Sequence, residues 1–501
     1  MKCFAARWTT AQGRTARCSS ATVSASQMLT RWCTTPASSA NACSRRSVPA
    51  LPSSRMATDW PAARSRRTTA MPRKPAPPVT STGEPATVTG RAVLARPGPM
   101  PGRIDGHAFV RTMSSEVAAV IRVLVDGRID APDGIGRYTR CTVAALRSAG
   151  RVRLDVLAPT GTPRYGSAEA DELLDAARRF DADVIHLFDY RIPWPDPGIP
   201  LVVTVHDVVR LLDPGLCYSD QAFAARFGAA DLAALRRAVA ELRALTPPAP
   251  AARTRPASAH EEYYGLMMAH LAATAARIVV PTETVAGQFR ASVRADAPLR
   301  VSSWGSDHLL AAPAPPDGAV PPLHGFVLYV GLARAHKRIG AVLDAYARTT
   351  SRRRGVPLVL VGGDFAPGGT GTGADQVAEH PVGTEAVLLG AVEDGALQAL
   401  YRRAGAVVSL SASEGFGFPP MEALAAGAPV VAADIPTYRE LLGAAARLVD
   451  PDDVEATARA IDESLAAGPP PAAAGVAPRS WATHGRTLVE LYREAVQERA
   501  R

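Results

Sequence analysis

From residue 119 onward, short runs of aliphatic and β-branched residues alternate with longer stretches whose apolar positions recur at helical spacing. Short segments rich in aliphatic and β-branched residues, closed by glycine, proline or charge, predict strands, and the continuous ones predict strands buried on both faces. Such runs fall at 119–125, 152–157, 184–188, 201–205, 277–281 and 299–303, and again at 326–330, 357–361, 386–389, 407–408, 429–433 and 448–450. Helical patterns lie between them: up to Arg147, over 168–180, 220–245 and 263–276, then from Ala341, over 397–404, 421–426 and 454–465, and last over 481–499. A Pro/Ala-rich stretch at 311–322 separates the two series. The pattern predicts an α/β protein of two doubly wound parallel sheets, a first half over 113–311 and a second over 323–478, with 479–501 as a closing helix. Residues 211–262 match no motif and read as a variable insertion that holds a Pro/Ala linker at 247–258, and 469–478 reads as a second linker.

Composition changes this picture at one end. The chain has 501 residues, 47% hydrophobic and 21% charged, which suits two or three soluble domains. No apolar run approaches the roughly 20 residues of a membrane-spanning helix. Residues 1–112 lack apolar periodicity and hold 17 of the 56 Lys+Arg but only three of the 47 Asp+Glu (Asp59, Glu84, Asp105). That segment therefore carries +14, and the remainder carries −5 (+9 less +14), so the basic balance is no argument for nucleic-acid binding by the folded part. Three readings fit the segment: a disordered tail, an organellar transit peptide, or untranslated sequence read from an upstream start. Met113, just ahead of the first strand, favours the third. Four of the six cysteines (Cys3, Cys18, Cys33, Cys43) lie there at no metal-binding spacing. Cys141 and Cys217 alone remain in the body, which argues against a disulfide framework and for a reducing cytoplasm.

The chemistry concentrates at 407–434, VVSLSASEGFGFPPMEALAAGAPVVAAD. It reads as strand, loop, helix, glycine stop and strand. Gly415 and Gly417 let the backbone approach a ligand closely. Pro419 and Pro420 suit a first helical turn, and such a helix start turns its free N–H groups and positive dipole end towards the loop. Phe416 and Phe418 lie between the same elements. Glu414 in the loop and Glu422 in the helix have seven residues between them, so two polyol groups could each meet a carboxylate. An ordinary β-α-β crossover with a capping and an exposed glutamate would look similar without the Gly-Phe-Gly-Phe-Pro-Pro insert.

Other candidates stand just past strand ends, where α/β sheets place ligands. Gly134-Ile135-Gly136 follows the first strand as a phosphate-type loop, with Asp126 and Arg137 as flanking charges. His206-Asp207 follows the run 201–205, and His186 lies within 184–188. In the second half the loop GLARAHKRIG carries Arg334 and Lys337, and Gly390 opens the loop 390–394.

The stretch SEGFGFPPMEALAAGAPVVAAD closely resembles the donor-binding signature of the large retaining glycosyltransferase family usually called family four, whose fold is GT-B. Gly-Ile-Gly-Arg-Tyr at 134–138 resembles a stretch near the start of many members, and Thr204-Val205-His206-Asp207 matches the family's Thr-x-His-Asp position. The resemblance implies two Rossmann-like domains facing across a cleft. It implies transfer of a hexose from a nucleotide sugar, with the anomeric configuration retained and no essential metal or cofactor. It places His206 beside the donor sugar, Lys337 (with Arg334 nearby) against the diphosphate, the Gly390 loop around the base, Glu422 on the ribose, and Glu414 with the 415–418 amides on sugar and phosphate. Many Gly-Ile-Gly-Arg-Tyr members are mannosyltransferases of polysaccharide assembly, so GDP-mannose is the implied donor. The acceptor would be a saccharide or a lipid-linked saccharide, the latter bringing the protein to the inner face of a membrane. Leu332, where the family often has Arg, and Ser303-Trp304, where it usually has Pro-Asn, depart from the pattern. Those departures motivate one rival, an inactive transferase-like scaffold; a second, a nucleotide-sugar epimerase, could share the fold, though Glu414 and Glu422 in this spacing argue against it.

Overall fold

The computed structural model describes residues 120–499 except 132, 163–164, 195, 247–255, 368–371 and 469–478. The readings of 1–112, of most of the 247–258 linker and of a second linker expected at 469–478 lie outside the described residues. Residues 120–499 belong to one compact unit.

Two six-stranded sheets carry the fold, and every recorded strand pair is parallel. The first runs, edge to edge, Val152–Leu157, Ile121–Asp126, Val184–Leu187, Leu201–Thr204, Arg277–Val280 and Leu299–Val301. The second runs Arg447–Val449, Val430–Ala433, Ala404–Ser409, Phe326–Val330, Leu358–Val361 and Ala386–Gly390. In each, chain direction across the sheet reverses once: between Ile121–Asp126 and Val184–Leu187, and between Phe326–Val330 and Ala404–Ser409. Loops leaving the carboxyl ends of such a strand pair diverge and open a crevice. The loop bearing Lys337 and the loop bearing Glu414 leave that pair in the second sheet, which is why residues 77 apart in sequence meet. Central strands such as Val184–Leu187 and Leu358–Val361 are buried throughout, the second as its unbroken apolar sequence requires and the first with His186 hydrogen-bonded inside.

The helical region after His206 is broken where spacing alone suggested one helix over 220–245. Asp220–Phe227 ends at Gly228, whose φ of 104° no other residue type adopts readily, and Ala229–Leu245 starts afresh. Both pack on Ala259–Thr274 through Phe223, Leu235, Leu242, Tyr263 and Met267.

The last helix, Trp481–Arg499, lies on the first half. Gly485 leaves only 3.0 Å between an added Cβ and Ala145 of the helix Gly134–Ala149. Two buried imidazoles fasten it. His186 bonds the Tyr492 hydroxyl at 2.6 Å and the Thr204 hydroxyl at 3.0 Å, and His484 bonds Ser302 at 2.7 Å and Tyr138 at 3.2 Å. His186 is therefore a fastening of the fold, not a group of the cleft. Burial pushes His484 down to about 3, and burial, then His484 and His206, hold His186 well below its ordinary value. The unfolded chain binds protons on these groups below about pH 6.5 and the folded chain does not. Their contribution is complete above that pH and is lost as pH falls, by about 1.4 kcal/mol per pH unit for each histidine. The urea midpoint should drop steadily from pH 7 to pH 5, and His484→Gln should flatten that slope; an unchanged slope would contradict this account.

Candidate functional site at the junction of the two halves

The loop after Ala404–Ser409 is shaped by contacts that exclude side chains. Gly417 has φ of 79°, and a Cβ there would lie 2.5 Å from the Tyr438 ring. A Cβ on Gly415 would lie 1.8 Å from the carbonyl oxygen of His206, so the loop's backbone rests on a strand end of the first half. Thr282 adds a hydrogen bond to the Gly415 carbonyl at 3.2 Å. The helix Phe418–Ala425 then starts with its prolines in the first turn.

Lys337 closes a short turn, Ala335–Lys337, and its Nζ donates to Glu414 Oε1. The Tyr438 hydroxyl reaches the same oxygen at 3.4 Å, and Thr437 donates to the Glu414 carbonyl at 2.6 Å. Burial alone would push the Glu414 carboxyl up. The Lys337 ammonium, the Ser411 hydroxyl and His336 outweigh that and hold it below the usual range. Glu414 is thus a carboxylate at neutral pH, able only to accept hydrogen bonds, such as those that hydroxyl groups donate. It lines a cleft of about 450 Å³ with Ser413, His336 and Thr437 from the second half and Leu212, Asp213, Leu216 and Gln288 from the first. Burial, then Lys337, lowers the His336 imidazole. Arg334 makes no side-chain hydrogen bond or ion pair among the described residues, and its backbone carbonyl accepts from Lys337 N–H at 2.8 Å.

The other sequence candidates are placed differently. Gly134 and Gly136 are not a loop but the first turn of Gly134–Ala149. Asp133 caps that turn, accepting from Ile135 and Gly136 N–H at 3.1 Å each, where a phosphate oxygen was expected. Gly136 is glycine for packing, since its Cβ would lie 1.9 Å from the Ala131 carbonyl oxygen, and a Gly134 Cβ would touch Phe418 at 3.6 Å. His206 donates from Nε2 to the Phe188 carbonyl at 2.7 Å. Its ring packs at 5.0 Å from both Tyr138 and Trp304, and burial lowers it, so it is neutral. It adjoins Gly415 but does not line the cleft. Asp126 is taken by Arg128 at 2.8 Å. Gly390 has φ of 68°, and its carbonyl accepts from Gly362 at 2.8 Å.

Glu422 departs most from expectation. It is 2% exposed, and its oxygens accept from His308 Nε2 at 3.0 Å and the Tyr401 hydroxyl at 3.0 Å. Arg137 Nε lies 3.4 Å away, while Arg137 also donates to Asp394 at 2.9 Å. The expected ribose ligand is therefore enclosed by protein groups, one of them from the opposite half. Phe416 and Phe418 are enclosed too, packed on Trp304 at 5.2 and 5.5 Å. Glu440 adds a further tie between halves, accepting from Glu283 and Thr284 N–H at 2.9 and 2.8 Å. Sequence reading missed His308, Tyr401, Trp481 and Glu440. They sit outside any motif, and only the packing of separate segments gives them a role.

Two doubly wound halves, a crevice at the second sheet's reversal and a final helix returning to the first half make this a GT-B protein. Residues 319–479 match the family "Glycosyl transferases group 1", and the chain carries a domain of that family. O-antigen chain mannosyltransferase B of Escherichia coli is 34% identical over 143 residues, 28% of this chain and 37% of its own length. O-antigen chain mannosyltransferase RfbU of Salmonella typhimurium is 46% identical over 65 residues, 13% of this chain and 18% of its own length. The chain thus matches well under half the length of either relative. Among solved structures, WaaG, a glycosyltransferase involved in lipopolysaccharide biosynthesis, superposes with a TM-score of 0.49 at 15% identity, over 76% of this chain and 98% of that one. Sucrose-phosphate synthase of Thermosynechococcus elongatus gives 0.47 at 18% identity, over 76% and 94%.

Proposed function

We propose that the protein is a retaining hexosyltransferase that moves mannose from GDP-mannose to a saccharide or lipid-linked saccharide acceptor. One observation carries the reading: the Lys337–Glu414 pair at the reversal of the second sheet, with Arg334 in the same loop and its side chain unpaired among the described residues. The mannosyl choice is supported by the two curated relatives, both O-antigen chain mannosyltransferases.

In this reading Glu414 orients sugar hydroxyls, and Lys337 and Arg334 face the diphosphate. The bond from the anomeric carbon to the phosphate oxygen breaks, and negative charge grows on the leaving diphosphate beside the two cations. The acceptor oxygen bonds the anomeric carbon on the same face, and its proton passes to the leaving phosphate oxygen. Closure of the halves would keep water from the reacting carbon. Lys337 and Arg334 supply the charge that a divalent ion supplies in other transferases, so EDTA should leave turnover unchanged. A cytoplasmic location fits two reduced cysteines, and no helix among the described residues is long and apolar enough to cross a membrane.

A thermal-shift panel of GDP-, UDP-, ADP- and dTDP-sugars tests the donor. GDP-mannose should raise the melting temperature most and should release GDP when an acceptor is present. Binding of a donor without turnover on any acceptor would favour an inactive scaffold, and an epimerised sugar with free UDP would favour an epimerase.

A further inference from the structure

Glu422 is not held by chance packing. His308 stands in the segment between the halves, in the turn His308–Ala311, with its side chain 9% exposed. Its Nδ1 receives the Trp481 indole N–H at 3.1 Å. An indole nitrogen can only donate, so Nδ1 carries no proton and the imidazole's one proton sits on Nε2. That proton is aimed at Glu422 Oε1, 3.0 Å away. Trp481 is itself fixed. Its backbone N–H donates to Asp307 at 3.1 Å, and its ring stacks on Phe418, 6.1 Å away and tilted by 22°, at the start of the helix that bears Glu422. Gly305 leaves no room for a Cβ, which would lie 2.4 Å from the indole. The first residue of the final helix thus sets the tautomer of a linker histidine, and the histidine sets the carboxylate.

We propose that His308 is a positioning residue for Glu422, with its tautomer locked by Trp481. Together with the Tyr401 hydroxyl it holds the carboxylate in place while the donor's ribose hydroxyls replace Arg137, the longest of the three contacts and the one reaching across from the first half. The inference rests on the reading of Glu422 as the ribose ligand. It explains why that carboxylate is enclosed here: two of its partners belong to its support, and one is exchanged.

The test is calorimetric binding of GDP, UDP and ADP to the full-length protein, with donor KM and kcat measured alongside. For whichever nucleotide the wild type binds, His308→Ala should weaken binding about tenfold, the scale of one lost hydrogen bond to a charged group. His308→Gln, whose amide can donate from a similar reach, should restore most of it. Trp481→Phe, which keeps a ring and removes the N–H, should give a partial loss. The loss should fall on KM rather than kcat. Imidazole ¹⁵N spectra should show His308 as the Nε2–H form in the wild type and as a mixture in Trp481→Phe. Arg137→Ala should tighten nucleotide binding. Unchanged binding in both His308→Ala and Trp481→Phe, an equal loss in His308→Gln and His308→Ala, or a fall in kcat with KM unaltered would overturn the positioning role, and weaker binding in Arg137→Ala would overturn the exchange. If Glu422→Gln itself leaves nucleotide affinity unchanged, the ribose reading fails instead, whatever His308 does.

Discussion

Lys337→Ala should lower kcat for nucleoside diphosphate release by roughly 10²–10³-fold, the range seen when one preorganised donor to developing negative charge is removed. The substitution strips the cation from the place where the leaving group gains charge. It also leaves Glu414, whose side chain is only 11% exposed, without its counter-ion. Burial would then dominate, and the Glu414 carboxyl would rise, because Lys337 is the chief group holding it down. The variant's residual activity should therefore fall at a higher pH than the wild type's as pH is lowered. Glu414→Ala should be similarly inactive, and the double variant should be little worse than the poorer single one, since the two groups act as a unit. Full multiplication of the two losses would show that they act separately.

Trp304→Ala should cost about 3–5 kcal/mol of unfolding free energy, the range for a large aromatic removed from a core. Trp304 is 3% exposed and touches residues of both halves: Tyr138 at 4.9 Å and His206 at 5.0 Å on one side, Phe416 at 5.2 Å and Phe418 at 5.5 Å on the other. The loss would show as a lower urea midpoint. Trp304→Phe should cost much less, because an aromatic ring remains and the buried indole N–H has no hydrogen-bond partner among the described residues. Equal losses in the two variants would mean that the ring stack is not what joins the halves.

The parallel sheets were legible in the sequence because their central strands are nearly continuous apolar runs, LVVTV at 201–205 and LVLV at 358–361, which suit a strand covered on both faces. That Lys337 and Glu414 belong to one site was legible only through the family resemblance, which did not pair them with each other. The physical reason they meet, the reversal between Phe326–Val330 and Ala404–Ser409, is a property of strand order and not of either loop. Gly136 and Gly415 show how a glycine misleads: each read as a place for a ligand, and each is a place where backbones touch. The surroundings of Glu422 could not have been read at all. His308, Tyr401 and Arg137 come from three distant segments, and Trp304, a departure from the family pattern, proves to be the stacking partner of Phe418. Motifs report what a short segment does, whereas enclosure is decided by what the rest of the chain lays over it.

The Lys337–Glu414 crevice is proposed to transfer a hexosyl group with retention. Proton NMR of the full-length protein turning over GDP-mannose with a mannose-terminated oligosaccharide tests it most directly. The predicted result is an α-linked mannosyl product, matching the donor's anomer, formed in step with GDP and lost in Lys337→Ala. A β-linked product, or turnover that survives in Lys337→Ala and Glu414→Ala alike, would contradict it.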